Sequence, residues 1–518
     1  MRTLLFATFA VLRLLNATAQ PPDYRPTYHF TPPKNWINDP NGLVYYDGEY
    51  HLFYQHNPFA NQWGHMSWGH AVSRDLLRWE HLPLSIPEFT HADGQTKTAI
   101  FSGSSVVDRG NRNGLCPPGT ADCMVAIYTG NVTQGNTQLA QYQNLAYSAD
   151  RGRTWTQYAQ NPIIDIGSRE FRDPNVFWYA PGQTWVMATV KATEHRAAFY
   201  ASKDLKNWTF LSHFGPLGDT TKVWECPALV RVPVEGEAGQ SRWVLFISSG
   251  HPQPGYVGMQ YFVGDFDGRQ FTLSPDHPTP SAASAYAGAV VDWGKDYYAA
   301  IQYNDLPDPS ASPVMIGWAN NWAYAGDLPT TPFKGVMALP RQISLRRTGA
   351  GLHLIQQPIA AVANLREPAT VTRSGLRLTN QRLTLAPNTG NAYELLVTLA
   401  PGTAKRVGLK LAQSRDEETV LYYTDGRLQL DRTRSGNVAF NKRFASVESA
   451  PLTPRNGLIT LRIFVDKSLV EIFANDGERV ITDQIFPTQS AGGITLFAEG
   501  GTADVRRVAV YPIKAVSQ

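Results

Sequence analysis

Three acidic residues, Asp39, Asp173 and Glu225, stand in settings that suit carboxylate catalysis. Asp39 lies in Asn35-Trp36-Ile37-Asn38-Asp39-Pro40-Asn41-Gly42 and Asp173 in Glu170-Phe171-Arg172-Asp173-Pro174, so each precedes a proline. Proline disfavours the helical region for the residue before it, which predicts Asp39 extended at a strand end, on a short side chain with few rotamers. Glu225 lies between Trp224 and Cys226, with Pro227 next. Without metal-ligand spacing in the chain, converging carboxylates point to glycoside hydrolysis: one attacks or activates water, and another, kept protonated, donates to the leaving oxygen. Asp39, short and rigid, suits the nucleophile. Glu225 suits the donor, because Trp224, Cys226 and Pro227 offer an apolar surround that favours the protonated acid, and its longer side chain reaches a departing oxygen. Arg172 beside Asp173 favours an ionised Asp173, apt for holding sugar hydroxyls. Each phrase alone also reads as structure: a polar turn, an Asp-Pro turn with a surface ion pair, a solvated strand residue. Together they make a site only if distant segments of chain converge.

A recurring phrase supplies the means. Ser73-Arg74-Asp75-Leu76-Leu77-Arg78-Trp79 is matched by Ser148-Ala149-Asp150-Arg151-Gly152-Arg153-Thr154-Trp155 and by Ser202-Lys203-Asp204-Leu205-Lys206-Asn207-Trp208, with a looser copy at Val263 to Phe271. Each follows one strand-like run and precedes another, so Ser-x-Asp opens a turn with the Trp packed beneath it. Before them, Tyr45 to Gln55 reads as a hairpin about Asp47-Gly48. Repeats of this kind predict an all-β fold, a β-propeller of about five blades, in which innermost strands line a central channel. Unrelated hairpins in a sandwich are the alternative, but a sandwich needs no repeated turn phrase. Separations of 134 and 52 residues are compatible with Asp39, Asp173 and Glu225 standing in different blades. From about Leu352 Trp vanishes, and Asp425-Gly426, Asn456-Gly457 and Asp476-Gly477 punctuate alternating strands such as Leu458 to Val465 and Ser468 to Phe473, the pattern of a β-sandwich. The expected organisation is a propeller over 20–345, a linker over 346–360 with a short helical piece near Pro358 to Asn364, and a sandwich over 361–518.

Composition sets the outer bounds. The 518 residues are 43% hydrophobic and 17% charged, with a net charge of +3 and no basic run, which argues against nucleic-acid or membrane partners. Met1-Arg2, the apolar run Leu4 to Leu15 broken by Arg13, and Ala17-Thr18-Ala19 resemble a signal peptide cut after Ala19, so the mature chain is expected to be exported. Cys116 and Cys123 enclose Pro117-Pro118-Gly119-Thr120, a loop that a disulfide closes easily, and leave Cys226 unpaired. Asn131-Val132-Thr133 and Asn207-Trp208-Thr209 are glycosylation sequons. No metal or other cofactor is expected.

Trp36-Ile37-Asn38-Asp39-Pro40-Asn41-Gly42, Phe171-Arg172-Asp173-Pro174 and Trp224-Glu225-Cys226-Pro227 resemble, in this order, the three signatures of glycoside hydrolase family 32, the invertases, inulinases and levanases. Gln260-Tyr261-Phe262-Val263-Gly264, Gly317 to Trp322, Leu339-Pro340-Arg341 and Ile463 to Ser468 bring the chain nearest the exo-acting inulinases. The resemblance implies a five-bladed propeller followed by a β-sandwich, and a retaining mechanism with Asp39 as nucleophile, Glu225 as acid/base and Asp173 as transition-state stabiliser. Retention requires nucleophile and acid/base carboxyls roughly 5 to 5.5 Å apart. It further implies fructose-binding roles for Asn38, Gln55, Trp63, Ser102 and Arg172, with Phe101 and Trp322 as apolar walls. Ile37 departs from the Met often found there in exo-inulinases. The implied activity is an exported β-fructofuranosidase releasing terminal fructose from inulin, levan and sucrose. Its rivals are a sucrose-preferring invertase, a fructosyltransferase, an arabinan hydrolase and a carbohydrate-binding protein without turnover.

Overall fold

The computed structural model describes residues 23–251, 256–278, 289–308 and 310–516; the expected leader at 1–19 lies outside them. From Asn35 to Pro358 the chain forms five antiparallel sheets in sequence order, the blades of a five-bladed β-propeller. The innermost strands are Asn35–Tyr46, Thr96–Arg109, Phe171–Tyr179, Glu225–Pro233 and Tyr298–Gln302. These strands are buried along nearly their whole length, since neighbouring blades cover both faces. Closure of the ring is parallel: Asn35 and Trp36 pair with Phe333 and Lys334, and Val44 bridges Asn304.

The repeated turn phrase does structural work in three successive blades. Asp75, Asp150 and Asp204 accept hydrogen bonds from backbone N–H groups two to four residues on and from Ser73, Ser148 and Ser202. Leu76, Arg151 and Leu205 take φ of 65°, 58° and 61°, the tight reversal that lets the next strand return along the sheet. The indoles of Trp155 and Trp208 donate back to Gly152 and Leu205. The fourth copy keeps the device, with Asp267 accepting from the N–H groups of Arg269 and Gln270.

Residues 346–360 are not a linker. Arg341–Thr348 and Gly351–Pro358 are the two outer strands of the fifth blade, and a 3-10 helix at Ala360–Leu365 follows at once. Beyond it, ten strands from Val371–Ala386 to Gly493–Pro512 build one sheet folded as a β-sandwich around Leu395, Leu409, Ile463, Ile481 and Val508. Sandwich residues Phe464, Leu469 and Phe473 join the propeller core beside Ile343 and Leu354.

Buried charges stitch this junction. Arg341 donates to Asp292 (2.9 Å) and Gln356 (3.0 Å) in the propeller, and to Glu471 and Thr482 (both 2.6 Å) in the sandwich. Gly294 passes so close to Thr482 that an added Cβ would lie 2.2 Å from its carbonyl oxygen. His29, ahead of the first blade, reaches Asp466 through Nδ1 (2.9 Å) and Glu471 through Nε2 (3.0 Å). Burial alone would push the imidazole down; hydrogen bonds to the two carboxylates and their charge more than offset it, raising it to about 9. Because the folded value exceeds the unfolded one, this contribution is full below about pH 6.5 and is lost as pH rises through about 9. His29→Gln is therefore expected to lower the melting temperature most at pH 6, with the gap to the parent narrowing by pH 10. A gap independent of pH would refute the charged pairing.

Candidate active site

Each innermost strand breaks register at the level of a single cavity, between Ile37 and Pro40, Ile100 and Gly103, Arg172 and Asn175, Glu225 and Ala228, and Tyr298 and Ile301; the first breaks again between Asn41 and Val44. Such irregularities turn toward the channel side chains that an unbroken strand would send into the blade. Asp39 accordingly stands inside its strand rather than at the strand end. Asp173 and Cys226, each before a proline, take φ of 63° and 46°, left-handed conformations that non-glycine residues adopt at a cost.

The cavity holds about 530 Å³, and all ten residues singled out from sequence line it: Asn38, Asp39, Gln55, Trp63, Phe101, Ser102, Arg172, Asp173, Glu225 and Trp322. Asp39 accepts from Ser102 Oγ (2.6 Å), Asn38 Nδ2 (3.1 Å) and Cys226 Sγ (3.5 Å). The Asn38 amide is oriented by Trp36, whose indole, a donor only, gives its proton to Asn38 Oδ1 at 2.7 Å and leaves Nδ2 facing Asp39. Cys226 also donates its backbone N–H to Asp173 Oδ2 (2.9 Å), so one residue bridges two of the three acids. Burial raises Asp39 above the ordinary carboxylate value; the Ser102 bond opposes this, and the Glu225 charge adds to it.

Two electrostatic expectations do not hold. Trp224 does not shelter Glu225: its ring packs between blades against Phe262, and its indole N–H donates to Asp219 O. Polar groups meet the carboxylate instead, Tyr298 OH on Oε2 (2.7 Å) and Arg172 Nε on Oε1 (3.2 Å). Nor does Arg172 hold Asp173 low. Burial pushes Asp173 up to about 7, Arg172 opposing and Glu225 reinforcing the rise. The guanidinium spends its hydrogen bonds on Glu225, Glu170 (2.7 Å) and Gln141 (3.1 Å).

The rim is aromatic. Trp63 is 52% exposed and meets Phe101 edge-on at 6.1 Å, while Trp322, 37% exposed, stacks on Trp36 at 5.9 Å. The Gln55 amide nitrogen is buried without a partner among the described residues, a donor poised for a ligand hydroxyl. Ile37 points into the propeller core and does not line the cavity. Sequence reasoning missed Tyr298, Glu170, Gln141, Gln138 and Asn131. Only Glu170 carried a signal, as the neighbour of a quoted motif. Of the two sequons, Asn131 is buried in the cavity wall and accepts from Gln138 (3.0 Å) and Gln141 (3.3 Å), whereas Asn207 is exposed.

The model of the glycosyl hydrolases family 32 N-terminal domain matches residues 29–358, and that of the family 32 C-terminal domain matches 361–512. The chain belongs to glycoside hydrolase family 32. It is 43% identical over 502 residues to a levanase of Bacillus subtilis, covering 95% of this chain and 71% of that protein. It is 39% identical over 517 residues to an extracellular exo-inulinase of Aspergillus awamori, covering 95% and 94%. The crystal structure of exo-inulinase from Aspergillus awamori superposes with a TM-score of 0.88 at 38% identity, over 95% of this chain and 99% of that one. Family 32 membership makes the protein a glycoside hydrolase with the propeller and sandwich described above.

Proposed function

We propose that the protein is a retaining, exo-acting β-fructofuranosidase that releases terminal fructose from inulin, levan and sucrose. The observation that carries this reading is the meeting of Asp39, Asp173 and Glu225, from three blades, about Cys226 in one cavity. An Asp39 oxygen attacks the anomeric carbon while Glu225 gives its proton to the departing glycosidic oxygen. Water, deprotonated by Glu225, then cleaves the fructosyl ester and restores both acids. Asp173, Arg172, Asn38, Ser102 and Gln55 hold ring hydroxyls, and Trp63, Phe101 and Trp322 cover the apolar face of the sugar. Two domains are proposed, propeller and sandwich, meeting near residue 360. Export is proposed from the leader-like start together with the Cys116–Cys123 disulfide; among the described residues no helix is long and apolar enough to cross a membrane.

A timed product profile on inulin tests the exo assignment: fructose alone is expected from the first minutes, and early oligosaccharides would mean endo action. Initial rates on sucrose, inulin and levan, with fructose measured against glucose, separate this reading from an invertase and from a fructosyltransferase. Binding of fructans without any turnover would leave only a lectin-like protein.

Ser102→Ala tests the nucleophile assignment through pH. The Ser102 hydroxyl holds Asp39 down against burial, so its loss lets the carboxyl keep its proton to higher pH. The acidic limb of the kcat/KM profile is expected to move toward neutrality, and the plateau to fall roughly ten- to a hundredfold. An acidic limb that stays in place would show that Asp39 does not set it.

A further inference from the structure

At the opposite mouth of the channel lies a second, larger cavity of about 710 Å³, walled by the far ends of the innermost strands and their outer neighbours. It does not communicate with the first. Asn175 and Gln302 exchange amide hydrogen bonds across the channel (3.3 and 3.0 Å), and Asn304 Nδ2 donates to Ser105 O and Val176 O (2.9 and 2.8 Å). The gap between the cavities keeps only a void of about 10 Å³, too small for a sugar ring.

We propose that this cavity is a second carbohydrate site, which holds a neutral fructan chain while chain ends are cut at the other mouth. The choice of fructan rests on the proposed function. Trp178 leaves 43% of its surface exposed although Trp185 packs edge-on against it at 5.0 Å. Tyr179 and Trp243, 6.1 Å apart, continue the aromatic wall. Exposed indole at a concave surface is what the C–H face of a sugar covers. Around it stand charges of both signs, Arg109 and Arg231 with Asp265, Asp305 and Asp308, and Arg109 lies 4.0 Å from Asp305. Mixed signs give no preference for an ionic ligand but many donors and acceptors for hydroxyls. The candidate active site pairs the same classes of residue. Holding the polymer here raises the local concentration of chain ends without altering the chemistry, so a polymer benefits and a disaccharide does not.

The test is affinity electrophoresis in native gels containing soluble inulin or levan, in the Glu225→Gln background so that the polymer survives. Adding Trp178→Ala is expected to weaken retardation roughly tenfold with the melting temperature kept. Arg231→Ala, which removes an exposed side chain and no core contact, is expected to weaken it less. On the active parent, Trp178→Ala should raise KM for inulin severalfold and leave sucrose kinetics unchanged. Retardation unaffected by either substitution, or absent in both polymers, overturns the proposal, and equal retardation by dextran removes the fructan assignment. Failure of the proposed function would appear separately, as an active parent that releases no fructose, because retardation involves no turnover.

Discussion

Glu225→Gln is expected to cut kcat on sucrose and inulin by roughly 10² to 10⁴-fold while the fold persists, because an amide has no proton to give the departing oxygen. The deficit should shrink on an aryl fructoside whose leaving group departs without protonation, since only the water that removes fructose from Asp39 then needs a base. Asp39→Asn should show no such relief: without a nucleophile no fructosyl ester forms, whatever leaves. The contrast separates the two acids in a way that a simple loss of activity does not. Tyr298 OH and Arg172 Nε, which meet the Glu225 carboxylate, are also able to meet the amide of the glutamine, so structural collapse is not expected. Full activity of Glu225→Gln would remove Glu225 from the mechanism, and equal losses on both leaving groups would reverse its assignment as the proton donor.

Arg341→Met is expected to destabilise the protein by about 3–5 kcal/mol, the cost of leaving partners of a buried ion pair uncompensated. Asp292 and Glu471 are both buried at the propeller–sandwich junction, and both accept charge-assisted hydrogen bonds from Arg341, at 2.9 and 2.6 Å. Calorimetry should show a fall in melting temperature on the order of 10 °C. Neutralising one acceptor in the same chain, Arg341→Met with Glu471→Gln, should recover part of the loss, because the two changes share one network. Arg341 lies outside the candidate active-site cavity, so kcat at 25 °C is expected to stay near the parent value. An unshifted transition would mean that apolar contacts such as Phe464, Leu469 and Phe473 carry the junction unaided.

Much of the architecture was legible because it is local. Ser-x-Asp turns, proline after an acid, and Asp-Gly reversals act within a few residues, so Asp75, Asp150 and Asp204 announce blades without knowledge of the rest of the chain. The outer strands of the fifth blade were less legible: Arg341–Thr348 and Gly351–Pro358 carry no copy of the phrase, and the change of texture near Leu352 falls inside a hairpin. The electrostatics misled for a related reason. Side chains adjacent in sequence need not share surroundings: Trp224, just ahead of its strand, turns between the blades, while Tyr298, 73 residues beyond Glu225, meets that carboxylate.

By itself, the order of residues determined which three acids to propose, the repeating turn chemistry and the change from propeller to sandwich, since each is written in short-range patterns of side-chain type. Tertiary structure alone decided that Cys226 would bridge Asp39 and Asp173, that burial would outweigh Arg172 at Asp173, and that a plug of amides would close the channel between two cavities. These depend on through-space distance and on the exclusion of water. Neither quantity exists until five strands, far apart along the chain, close around one axis.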